Sequence, residues 1–142
     1  MTTTPPELEP PEQVLRFTLG EQRYCVSIER VEEIVRAETL TSLPESPPAV
    51  AGVMDLRGET TTILDPSRVF DTGSTRESQQ VIIFGGDERI GWLVDRVDQV
   101  RDLDDVAVDP APESEYVSGL VSLADGFVLW VEPQTVTGAV SV

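Results

Sequence analysis

The chain contains no histidine, and that absence removes serine–histidine and cysteine–histidine nucleophiles together with every imidazole metal site. It contains no lysine either, since all ten cations are arginines. A phosphate-cradling G-x-x-x-x-G-K-[ST] loop is therefore impossible, and the G-x-G-x-x-G fingerprint is missing as well. One cysteine, Cys25, excludes an internal disulfide and any C-x-x-C pair; its strand-like setting R-Y-C-V-S-I points to core packing. Aromatics are few, so Val, Leu and Ile must supply most of the core. No apolar run approaches the ~20 residues of a membrane span, and Met1 to Glu12 is too polar and proline-rich for a secretory signal. These absences lead to the expectation of a cytoplasmic protein that is not an enzyme and carries neither cofactor nor metal.

Acid is abundant, with 26 Asp and Glu against 10 basic residues and a formal net charge of -16. Such a field repels a nucleic-acid backbone and an anionic membrane surface. It fits plain solubility or, the reading taken here, a high-salt cytoplasm in which self-repulsion is screened. Carboxylate pairs such as Asp102 with Asp104 or Asp105 follow from that composition, and no calcium-loop spacing accompanies them.

The chain is organised around Val50 to Pro66, V-A-G-V-M-D-L-R-G-E-T-T-T-I-L-D-P. Two apolar runs flank Arg57-Gly58, which reads as a hairpin or bend with an arginine held at the turn. Gly52 marks a bulge or close approach on the way in.

Met1 to Gln13 should be a disordered lead-in. Leu15, Phe17 and Leu19 alternate with polar residues as in a half-buried strand, and Arg23 to Val26 returns as a second. Ser27 to Arg36 reads either as a helix capped by Ser27, toward which the residues alone lean, or as one helical turn at Ile28 to Arg30 followed by a strand. Thr39 to Pro48, with three prolines, is a loop. Pro66 to Phe70 suits a short helix. The polar stretch 72–80 is the candidate crossover between two subunits of structure. Val81 to Phe84 and Ile90 to Val94 form a hairpin around Gly85, Gly86 and Asp87, with Trp92 as core. Asp98 to Pro112 is an acidic connection anchored by residues such as Val100 and Leu103. Tyr116 to Leu123 and Phe127 to Val131 make the last strand pair, Pro133 to Val136 begins a short helix, and 137–142 is a tail. Short strands with Gly/Pro turns predict an antiparallel all-β fold, with no internal repeat legible.

The ordered set V-L-R-F-T-L-G (Val14 to Gly20), V-E-E-I (Val31 to Ile34), D-L-R-G (Asp55 to Gly58), I-G-W-L-V-D-R-V (Ile90 to Val97) and Y-V-S-G (Tyr116 to Gly119) resembles the CheW-like family of chemotaxis adaptors over residues 14–136. The resemblance implies two packed five-stranded SH3-like barrels that exchange strands near the N-terminus, and it selects the helical turn followed by a strand for Ser27 to Arg36. It implies a non-catalytic coupling role, with the cytoplasmic tip of a chemoreceptor as one partner and the regulatory domain of the histidine kinase CheA as the other, in membrane-associated arrays. It assigns receptor binding to Val31, Glu33, Arg57 and Val100, and leaves Gly52, Gly58 and Gly119 as structural turns. A small β-barrel binding a soluble ligand is the alternative that the residues alone leave open.

Overall fold

The computed structural model describes residues 10–37, 40–45, 47–70, 80–86, 89–104, 106–111, 116–124 and 126–140, with side chains described as far as 136. In chain order the strands are β1 (Gln13–Leu19), β2 (Gln22–Ser27), β3 (Val31–Arg36), β4 (Val50–Leu56), β5 (Glu59–Leu64), β6 (Gln80–Phe84), β7 (Ile90–Val94), β8 (Arg96–Asp102), β9 (Val108–Asp109), β10 (Val117–Leu123) and β11 (Gly126–Val131). A 3-10 turn at Ile28–Arg30 joins β2 to β3, and helices α1 (Pro66–Phe70) and α2 (Pro133–Val140) follow β5 and β11. The turn-plus-strand reading of 27–36 is what forms: the Ser27 hydroxyl accepts from the Glu29 N–H at 3.3 Å, capping a single turn before β-branched residues take the chain into β3.

The closed five-stranded barrels expected from the resemblance are not what forms. The strands make two open sheets, a six-stranded one in the order β8-β1-β2-β11-β10-β9 and a five-stranded one in the order β3-β6-β7-β5-β4. Neither is purely antiparallel, because β11 runs parallel to β2 and β5 parallel to β7. The first ladder gives out at β9, which pairs through two residues only. The second gives out beyond β4 at the lone Thr41 to Val53 bridge. Pairings so short cannot carry a sheet round to its opposite edge.

The chain crosses between the sheets twice. β3 leaves β2 and joins β6, while β8 leaves β7 and joins β1. Both passages are tied down. The Gly85 N–H donates to the Arg30 carbonyl at 3.1 Å, and the Gly20 N–H donates to Asp95 Oδ2 at 2.7 Å. The proposed crossover lies largely outside the described residues; α1 precedes it, and β6, which follows it, belongs to the second sheet.

The structure also displays a repeat that the residues conceal. The β4–β5 and β10–β11 hairpins pair in matching register, Val50 with Leu64 and Leu56 with Glu59 against Val117 with Val131 and Leu123 with Gly126. Both have a bulge after the first pair, both are followed by proline and a helix, and their burial patterns coincide. The residues differ between the two hairpins because the shared burial pattern asks only for side chains that fit its buried positions.

Three apolar clusters hold the assembly. The central one is shared between the sheets, joining Phe17, Leu19 and Tyr24 to Ile82, Phe84 and Trp92. Each sheet's other face encloses its own cluster, one around Val14, Cys25 and Trp130 and one around Met54, Ile63 and Val81. Burial raises the Cys25 thiol to about 12 against the lowering pull of Arg16, so Cys25 remains a core thiol.

Among the buried groups, the Thr61 hydroxyl has no hydrogen-bond partner. Its counterpart in the second hairpin is Val128, also buried. Replacing Thr61 with valine keeps the shape and removes an orphaned polar group, which should raise stability by about 1 kcal/mol and Tm by about 3 °C. Thermal unfolding of the two proteins side by side checks this, and a lower Tm for the variant would contradict it.

Candidate functional site

The sharpest local feature is the tip of the β4–β5 hairpin. Leu56 pairs with Glu59, leaving Arg57-Gly58 as a two-residue loop. Such loops take positive φ at both positions to match the twist of the strands, and Asn-Gly is the usual solution. Here φ is 53 at Arg57 and 84 at Gly58. An added Cβ at Gly58 would meet nothing within 4 Å, so the glycine answers to the backbone angle alone. Arginine is an unfavourable choice for the left-handed region, and its side chain is 77% exposed.

The strand order brings other charged groups to the same end of this sheet. Val31 of β3 faces Phe84 at the end of β6, and Phe84 faces Ile90 at the start of β7. β5 begins alongside at Glu59. The Arg57 guanidinium donates through Nη2 to Glu33 Oε1 at 3.1 Å. Arg89 lies behind it, with Nη2 3.4 Å from Glu33 Oε2, Nη1 2.8 Å from Glu59 Oε2, and Glu32 at 3.7 Å. The hydrogen bond that Arg89 donates to Glu59 raises its pKa further, outweighing the opposing effect of desolvation, and the charges of Glu32, Glu59 and Glu33 add to it. It is a permanent cation among three carboxylates.

Of the four residues singled out from sequence, Glu33 and Arg57 are therefore in direct contact. Val31 shares Glu33's strand, half-buried against the central cluster. Val100 stands apart on β8, the edge strand of the other sheet, opposite Leu15, and is 46% exposed. Gly52 and Gly119 occupy matching bulges, where added Cβ atoms would approach the carbonyl oxygens of Thr41 and Asp109.

Two residues were missed. Ile34, beside Glu33, is 39% exposed on the edge strand β3. It follows half-buried Val31 by three positions, as Val100 follows Val97 on β8, so the two edges present matching exposed aliphatics. The V-E-E-I spacing carried the signal, but a lone exposed isoleucine cannot be told from a core one by period. Arg89 had no local signal at all, because its partners lie on β3 and β5.

Paired arginines and glutamates at a rigid sheet end can present oriented hydrogen-bond donors to a protein surface. Comparison with known proteins agrees with a binding module. The family described as the CheW-like domain matches residues 13–140. The chain is 31% identical over 130 residues to a chemotaxis protein CheW of Klebsiella aerogenes, covering 85% of this chain and 78% of that one. It is 27% identical over 110 residues to the chemotaxis protein CheW of Bacillus subtilis, covering 75% and 70%. In three dimensions it resembles the crystal structure of the scaffolding protein TtCheW from Thermoanaerobacter tengcongensis, with a TM-score of 0.77, 26% identity, and 86% and 89% of the two chains covered. With the hairpin, both sheets and the terminal helix all inside the matched span, this chain belongs to the CheW-like domain family.

Proposed function

We propose that this chain is a non-catalytic cytoplasmic chemotaxis adaptor that couples chemoreceptor tips to the histidine kinase CheA, and that the Arg57 hairpin is its receptor contact. The observation that carries the reading is the arginine in the left-handed turn. Asparagine or glycine would serve the backbone better there, so what favours arginine is what its side chain does outside the fold. Arg57 supplies charge-assisted donors to a carboxylate or carbonyl on a helical tip, and Glu33 holds it in place. Val31 and Val100 supply apolar contact on the two edge strands. Signal passes as a mechanical coupling between receptor and kinase, with no phosphate moving through the adaptor.

The test is Arg57→Asn, which suits the turn and deletes the guanidinium. Its affinity for the cytoplasmic fragment of a chemoreceptor from the same genome should fall about 30-fold, corresponding to about 2 kcal/mol for a residue central to an interface. Its Tm should hold or rise. Capture of CheA should survive. An unchanged receptor affinity in the folded variant would remove Arg57 from the contact, and failure of the wild type to capture either partner would remove the adaptor reading itself.

A further inference from the structure

We propose that Arg89 is the positioning residue for Arg57: it fixes Glu33 from behind and holds Glu59 away, so that the Arg57 guanidinium stands in one orientation over the hairpin tip. The functional consequence rests on the receptor reading above; the positioning itself does not.

Three carboxylates, Glu32, Glu33 and Glu59, gather on Arg89, and Glu33 is the one of them that also pairs with Arg57. Glu33 uses its two oxygens on two different arginines, Oε1 on Arg57 at 3.1 Å and Oε2 on Arg89 at 3.4 Å. A carboxylate held at both oxygens has lost the rotation that would let its outer bond wander. Glu59 follows Gly58 directly and is the nearest competitor in the chain. Arg89 engages it at 2.8 Å, the shortest contact of the group, and reaches Glu32 at 3.7 Å. Arg89 is 23% exposed and Glu33 20%, against 77% for Arg57. The inner pair is thus sheltered and the outer arginine is not. An exposed ion pair alone fixes very little. What turns this one into an oriented donor is the planar, five-donor fork behind it, which spans β3 and β5 in a way that a single ammonium cannot.

The experiment uses the full chain with Arg89→Gln and Arg89→Lys, each checked for native fold by its amide spectrum. The first readout is the nitrogen-15 relaxation of the Arg57 Nε–H group in the free protein. Arg89→Gln should make that group as mobile as a free surface arginine, and Arg89→Lys should restore order only in part. The second readout is affinity for the chemoreceptor cytoplasmic fragment. A loss of about tenfold is expected for Arg89→Gln in the wild-type background, with no further loss when Arg57 is already alanine. Unchanged Arg57 relaxation overturns the proposal, and so does an equal loss in the Arg57→Ala background, which would make Arg89 a direct contact. If Arg57→Ala itself leaves affinity intact, the receptor reading fails while the relaxation still decides the positioning.

Discussion

Truncating Trp92 to alanine should cost about 3–5 kcal/mol, the range for removing a large buried aromatic. Trp92 is fully buried on β7, at the centre of the cluster the two sheets share. Its ring meets Phe84 edge-on at 4.8 Å within its own sheet and Phe17 at 6.0 Å across in the other. The indole N–H has no hydrogen-bond partner, so the variant sacrifices no polar contact, and the whole loss is burial plus the cavity left behind. Against a net stability of about 5–15 kcal/mol for a domain, that is a large share. Denaturant titration at fixed high salt checks it, salt being held constant because a net charge of -16 makes stability depend on screening. A loss under about 1 kcal/mol would mean that the shared cluster is not what joins the sheets.

Gly52→Ala should cost about 3 kcal/mol for the opposite reason, too much matter instead of too little. A Cβ at position 52 would lie 2.1 Å from the Thr41 carbonyl oxygen and 2.8 Å from its carbon. Those atoms are backbone and cannot turn aside as a side chain can. Thr41 is held there by two hydrogen bonds with Val53, each 2.9 Å. Relief of the clash therefore means giving up this bridge, at about 1 kcal/mol for each bond, together with local repacking of similar size. Alanine at Gly58 is the natural control. It meets no atoms and should cost only the backbone preference, about 1 kcal/mol. If the two substitutions prove equal, the close approach at Gly52 is not the constraint.

Much of this was legible in the residues. Alternation marked β1 and β2, Gly85-Gly86 marked the β6–β7 hairpin, and Arg57-Gly58 marked the turn at the site. Strands β8 and β9 were not legible. β8 reads R-V-D-Q-V-R-D with no fully buried position, because an edge strand wet along its length needs no apolar alternation. β9 is only two residues long. Open sheets instead of closed barrels could not be read either, since closure is decided by how far the last pairings run. The site was half legible. Arg57 stood out beside its glycine, but Glu33 lies 24 positions away and the Arg89 contacts with Glu59 and Glu33 span 30 and 56. Those contacts exist only because the sheet order brings β3, β5 and β7 to one end.

The two crossings, from β2 into β3 and from β7 into β8, have a mechanical corollary. The strand that carries Glu33 is hydrogen-bonded into one sheet, yet through a single 3-10 turn it is the direct continuation of a strand in the other. A pull on the hairpin tip should therefore be borne at once by covalent chain and by packed side chains, since both crossings lie among the described residues and neither contains a long linker. A tilt imposed at the hairpin tip should therefore be carried into the other sheet as well.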